Sequence, residues 1–226
     1  MITPLPFDSD LFGYPVGKKL WSSGDDEDQF LEHASQFQLT YIFSSTPISF
    51  DSPQLRHVDT KLNFTKTLEH SHVPGGIFLL GKDSSLLQDA SIVQKLQFLA
   101  LESGTYSRFK TDPRLQQGEF EKLYQLWIQK AMSEGNILVA SEMAGMVTFD
   151  IKGSNAQIGL IAVHQDHRRK SWGKNLVLAA EAQAVAQGAI SMLIPTQEAN
   201  VPAVKLYSDL GYQLYERSYI YHFWKS

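Results

Sequence analysis

The residues with the most chemistry in them run from Ile161 to Lys174: Ile161-Ala162-Val163-His164-Gln165-Asp166-His167-Arg168-Arg169-Lys170-Ser171-Trp172-Gly173-Lys174. An apolar, strand-like stretch passes into a basic loop, and the loop opens an alanine-rich helix expected from about Trp172 to Gln187. Small residues at Ser171 and Gly173 let backbone amides converge without side-chain obstruction, and the positive end of the helix favours an anion. Arg168, Arg169, Lys170 and Lys174 place four positive charges within seven residues of an otherwise acidic chain. A diphosphate suits such a cradle. A charge cluster at a helix start is, taken alone, ordinarily a solvated turn. The segment also lacks the Gly-Lys-Ser/Thr ending of a nucleotide-hydrolysing loop and the spaced glycines of a dinucleotide fold, so nucleotide hydrolysis and hydride transfer both lose ground.

The second chemical cluster is Asn200-Val201-Pro202-Ala203-Val204-Lys205-Leu206-Tyr207. Asn200 is a good N-cap and Pro202 is tolerated in a first helical turn. Seven residues are close to two turns, so Asn200, Ala203 and Tyr207 share a stripe, with an amide at the top and a phenol below. The plainer reading is that Asn200 only caps the helix and Tyr207 packs in the core.

Taken together, the two clusters resemble the GNAT acetyltransferases. Arg168-Arg169-Lys170-Ser171-Trp172-Gly173 is similar to that family's Gln/Arg-x-x-Gly-x-Gly/Ala loop. Asn200, Ala203, Tyr207, Gly211 and Tyr212 are similar to its following block, Asn-x-x-Ala-x-x-x-Tyr-x-x-x-Gly-Phe. The resemblance covers roughly Leu86 to the C-terminus. It implies acetyl-CoA as acetyl donor, with no metal, and an N-acetyltransferase activity on a primary amine. It implies that Ile161, Ala162 and Val163 pair with the pantetheine arm through backbone groups. Amides along Arg168, Arg169, Lys170, Ser171, Trp172, Gly173 and Lys174 would hold the pyrophosphate, Asn200 would contact the cofactor arm, and Tyr207 would protonate the departing thiolate. Ser171 stands where the family pattern has its first glycine; a strictly positive φ there would be strained. Trp172 takes a normally aliphatic position and is expected to pack beneath the loop.

A narrower resemblance rests on Phe7-Asp8-Ser9, Phe12-Gly13 and Ser107-Arg108-Phe109. These look like the bacterial TDP-fucosamine acetyltransferase subgroup, which acetylates the amine of a nucleotide-linked 4-amino-4,6-dideoxy sugar and carries an N-terminal extension. The fold implies that the loop from Thr105 to Arg114 walls the acceptor site. Arg108 and Arg114 could then meet a diphosphate, and Tyr106 or Phe109 could stack on a base. Other acceptors are an amino acid, a polyamine or a peptide N-terminus, and a non-catalytic acyl-CoA-binding module is a further alternative. His164, His167 and Glu198 lie near the expected site, yet none stands out as general base.

The elements that must position these residues follow from periodicity. Phe120, Leu123, Tyr124, Trp127, Ile128 and Ala131 recur at helical spacing between Gly118 and Gly135. Another helix is expected from Leu86 to Leu101 with Ser85 as cap. Ile137 to Ser141, Met146 to Ile151 and Ile158 to Val163 read as antiparallel strands joined by hairpin-like turns. A buried strand at Met192 to Pro195, a helix from Asn200 to Leu210 and two short strands within Tyr212 to Phe223 complete this half. Earlier, Phe7 to Trp21 suggests a short hairpin or irregular strand pair, Asp25 to Phe37 a helix, and Leu39 to Ser44 and Val58 to Leu68 strands. The fold class expected is α/β (α+β): a mixed, mostly antiparallel sheet flanked by helices. Residues 1–84 form an N-terminal α/β extension or subdomain and residues 85–226 the acetyltransferase domain.

Composition sets the outer bounds. A 43% apolar content with 13 Phe, 9 Tyr and 4 Trp supplies a core. A formal charge of −4 argues against a general nucleic-acid binder. The absence of cysteine removes disulfides, thiolate metal sites and a thiol nucleophile, so transfer to the acceptor is direct or passes through another side chain. Neither a signal peptide nor an apolar run of about 20 residues is present, which reads as a cytoplasmic protein without membrane contact. The expected partner is a small-molecule amine; a homodimer is compatible with the sequence, which leaves the oligomeric state open.

Overall fold

The computed structural model describes residues 1–69, 72–115 and 117–225. In chain order these form β1 (Thr3–Pro4), α1 (Pro6–Phe12), β2 (Val16–Trp21), α2 (Glu27–Ala34), β3 (Leu39–Ser44), β4 (Leu55–Thr67), β5 (Ile77–Leu80) and α3 (Ala90–Ser103). There follow α4 (Arg108–Thr111), α5 (Glu119–Glu134), β6 (Ile137–Ala140), β7 (Gly145–Lys152), β8 (Asn155–Val163), α6 (Trp172–Ala186), β9 (Ser191–Gln197), α7 (Val201–Asp209) and β10 (Gln213–Trp224).

Among the described residues, ten strands make one mostly antiparallel sheet in the order β1-β2-β3-β10-β4-β9-β8-β7-β6-β5. The expected fold class is therefore the observed one. Strands from residues 1–84 and from residues 85–226 interleave: β10 lies between β3 and β4, while β5 closes the opposite edge. Side chains alternate across the sheet, so neighbouring residues serve different cores. Tyr41 packs with Phe109, Leu123 and Ile128 on the face carrying α1, α3, α4 and α5. Ile42 packs with Phe30 of α2, on the face that also holds α6 and α7.

Several elements differ from the pattern read in the sequence. Phe7–Phe12 is helical rather than half of a hairpin. Pro6 presets the first turn, and Gly13 at φ 79° ends the helix by donating its N–H to the Ser9 carbonyl. The segment expected as one helix from Leu86 is a 3-10 turn at Ser85–Gln88 capped by Ser84, then α3. Asp89 separates them because its carboxylate caps α3, accepting the Ser91 N–H at 2.8 Å. β5 was not anticipated; four residues between glycine turns carry little period-2 signal, and among the described residues only β6 pairs with it. The two short strands after Tyr212 are one 12-residue strand, continuous because β3 and β4 pair with it on both sides. Bulges at Leu214/Glu216 and Ile220/Tyr221 interrupt its alternation and disguise its length.

Candidate active site

β8 and β9 run parallel and pair only over Asn155–Gln157 with Ser191–Leu193. Beyond that they part, and β9 continues against β4. His164 N–H donates to the Ala144 carbonyl at 2.9 Å. In the register Gly145↔Val163, the amide and carbonyl of Val163 therefore point away from β7 into the gap, as do those of Ile161. The Ala162 backbone faces Met146 instead. A bulge lies just upstream, where Thr148 Oγ1 accepts the Leu160 N–H at 2.8 Å. Gly159 is required there, because a Cβ would stand 2.9 Å from that hydroxyl.

After β8 a 3-10 turn at Gln165–His167 leads into the basic loop. Arg169 (φ 65°) and Ser171 (φ 62°) both adopt left-handed backbone. For a residue with a Cβ this costs about 1–2 kcal/mol, so the serine carries the strain a glycine would avoid. Ser171 is the N-cap residue of α6, yet its hydroxyl makes no capping bond. The first amides of α6 are thus left for another acceptor, which fits a pyrophosphate. Trp172 is partly buried against the α6–α7 core, and its ring lies so near Gly76 that a Cβ there would be 3.1 Å from it. Gly173 abuts Leu206 of α7 and Val163 of β8. The four cations differ in their engagement. Arg168 donates from Nε to the Val163 carbonyl at 3.2 Å and from Nη2 to Glu102 at 3.1 Å. Lys170 donates to the Asp166 carbonyl at 3.3 Å, while Arg169 and Lys174 are exposed.

Asn200 caps α7, its Oδ1 accepting the Ala203 N–H at 3.3 Å. Tyr207, two turns along, is only 2% exposed and touches Phe64 and Tyr212. Its hydroxyl has no hydrogen-bond partner among the described residues. Burial pushes its pKa up, so the phenol holds its proton at neutral pH.

A cavity of about 580 Å³ joins these pieces. Ile161, Asn200 and Tyr207 line it from the gap, and Arg108 and Phe109 from α4. Tyr106 is not in its wall and is 39% exposed. Arg108 stacks over the rings of Phe109 (4.3 Å) and Tyr41 (4.9 Å). Its helix ends at Asp112, a buried carboxylate that accepts from His222 Nδ1 at 2.6 Å and Trp224 Nε1 at 2.9 Å. Burial pushes the His222 pKa down to about 4, so the ring is neutral and donates from Nδ1. Burial alone would raise Asp112, but the bonds from His222, Arg114 N–H and Trp224 outweigh it and lower its pKa to about 2. The C-terminal strand thereby pins α4, and with it Arg108.

The cavity also holds a carboxylate that sequence reasoning missed. Asp59 of β4 lies in its wall, and burial pushes its pKa up to about 7 although Arg108 and Lys61 pull the other way. Lys61 is pushed down by burial and then by Arg108. Asp59, Lys61 and Asn63 occupy one face of a strand paired on both sides. That alternation of polar residues inside a central strand was the available signal. His164, His167 and Glu198 do not line the cavity; His164 packs on Phe98 at 5.5 Å and Glu198 pairs with Arg217 at 2.9 Å.

Residues 97–212 match the acetyltransferase (GNAT) family. The chain belongs to that family. This GNAT chain finds no match among the curated proteins. Among solved structures, it is similar to a functionally unknown conserved protein from Staphylococcus epidermidis, with 11% identity and a TM-score of 0.59 over 94% of this chain and 84% of that one. It is also similar to a GNAT acetyltransferase from Colwellia psychrerythraea (12% identity, TM-score 0.54, 86% and 70%). A third likeness is to the glucosamine N-acetyltransferase region of a fungal multi-domain β-N-acetylglucosaminidase (13%, 0.55, 98% of this chain and 30% of that one). At these identities the likeness concerns the fold. The match runs from within α3 to Tyr212, just past α7, and so takes in both strands of the gap.

Proposed function

We propose that this GNAT chain is a cytoplasmic N-acetyltransferase that transfers acetyl from acetyl-CoA directly to a primary amine, the 4-amino group of a nucleotide-linked 4-amino-4,6-dideoxy sugar. The observation that carries the reading is one cavity reaching the β8–β9 gap, with Tyr207 and Asp59 both in its wall. The uncapped start of α6 fits the pyrophosphate, and the gap-facing backbone of Ile161 and Val163 fits the pantetheine amides. When bound, acetyl-CoA supplies an activated acyl group and a thiolate leaving group.

Asp59 takes a proton from the acceptor ammonium onto its carboxylate; a pKa of about 7 lets it do so near neutrality. Tyr207 holds at its hydroxyl the proton that the departing sulfur needs, and recovers one from the nitrogen, which sheds its second proton as the amide forms. Alignment of the two partners in the cavity supplies much of the remaining acceleration. Lys18, Lys61 and Arg108 in the same cavity suit an acceptor bearing an anionic group and disfavour a polyamine.

Thermal-shift titration tests the assignment. Acetyl-CoA, and then a TDP-, UDP- or CDP-linked amino sugar, should each raise the midpoint by mass action. Tyr207→Phe should lower kcat by roughly 100-fold while leaving acetyl-CoA affinity unchanged. No shift with saturating acetyl-CoA would refute the donor, and full turnover in Tyr207→Phe would remove the tyrosine from the mechanism.

A further inference from the structure

Of the apolar stripe on α5, Phe120, Leu123, Tyr124, Ile128 and Ala131 are buried, as a core-facing helix requires. Trp127 belongs to that stripe by spacing and yet remains 38% exposed. The exposure is directed: Trp127 is part of the cavity wall. Two aromatic neighbours pack on the indole, Tyr124 with ring centroids 4.8 Å apart at 58° and Phe109 at 6.4 Å and 78°. Trp127 thus offers aromatic surface to a cavity whose other walls are largely polar.

The polar groups around that face have a particular composition. Lys130 and Glu134 follow Trp127 at i+3 and i+7, on the same side of α5, and their charged ends lie 3.6 Å apart. Asp150 and Gln157, directly opposed on β7 and β8, line the cavity with them. The set mixes donors with acceptors. A phosphate would call for donors alone, and an acyl chain for apolar walls. A hydroxyl both donates and accepts, so a ring bearing several hydroxyls satisfies a mixed set. The apolar face of such a ring needs a flat apolar partner, which the indole provides.

We propose that Trp127 is the platform for the carbohydrate ring of the acceptor, with Lys130, Glu134, Asp150 and Gln157 reading its hydroxyls. The inference rests on the acetyltransferase reading above and deepens it. It separates the ring subsite from the anion subsite at Lys18, Lys61 and Arg108, with Phe109 touching both Arg108 and Trp127.

The test compares wild type, Trp127→Ala and Trp127→Phe, each first shown to keep its melting midpoint and its acetyl-CoA affinity by calorimetry. Three probes are titrated by intrinsic fluorescence and calorimetry: a TDP-linked 4-amino-4,6-dideoxy sugar, glucosamine and TDP. Both sugars should perturb tryptophan emission in wild type, and Trp127→Phe should remove that change. Trp127→Ala should weaken the TDP-linked sugar about tenfold, while Trp127→Phe stays within about threefold. TDP should bind all three proteins alike. Sugar binding that is insensitive to Trp127→Ala, or a loss seen equally with TDP, overturns the platform. Wild type that fails to bind acetyl-CoA overturns the acetyltransferase reading instead.

Discussion

Replacing Asp59 by asparagine separates the catalytic and structural consequences of one buried carboxylate. Burial holds its pKa at about 7, against the pull of Arg108 and Lys61. If its ionised form is the base, kcat/KM rises with pH through that value. About one tenth of the carboxylate is ionised at pH 6 and about nine tenths at pH 8, so the rate should change roughly tenfold between them. Asp59→Asn should flatten this limb and lower turnover by about 100- to 10,000-fold. Arg108→Met removes a cation that favours the ionised form, and should move the limb to higher pH. The stability effect has the opposite sense. A carboxyl whose folded pKa lies above its unfolded value of about 3.9 favours the folded state when protonated, and that contribution is lost as pH rises from about 4 through 7. Asp59→Asn should therefore melt higher than wild type at pH 8 and no higher at pH 4. The assays are initial rates of thiol release at saturating acetyl-CoA from about pH 5.5 to 9 (roughly two units either side of the limb) and thermal melts from about pH 4 to 8. An unchanged limb in Asp59→Asn, or a lower midpoint at pH 8, refutes the reasoning.

Two further substitutions probe the backbone that shapes the site. Gly159→Ala would place a Cβ 2.9 Å from Thr148 Oγ1 and displace the bond to Leu160 N–H, costing about 1–3 kcal/mol by urea unfolding. Adding Thr148→Ala removes the obstructing hydroxyl, so the double variant should lose less than the sum; strict additivity would contradict the packing argument. Ser171→Gly relieves a left-handed serine at φ 62°, a gain of about 1–2 kcal/mol, offset by about 0.4–1 kcal/mol of unfolded-state entropy. The variant should be as stable as wild type or slightly more so, with acetyl-CoA binding retained, and a clear loss of stability would show that the serine side chain matters for another reason.

What the sequence determined by itself is local. A basic run beside small residues at a helix start, an asparagine at a cap and a tyrosine two turns later each depend on contacts within one or two turns. So does the apolar stripe of α5, and all of these are legible as spacing. Errors in the first half have the same origin. Asp89 as a cap and Pro6 at a helix start are single-residue signals that an apolar period does not register. The tertiary structure alone decided the rest. Asp59 and Trp127 sit where a core pattern predicts burial, and only the parting of β8 from β9 and the placement of α4 leave space before them. β10 comes last in sequence but lies inside the sheet, and its far end pins Arg108 through His222 and Asp112. The raised pKa of Asp59 comes from desolvation, which depends on every chain segment packed around it and is written in no short stretch of residues.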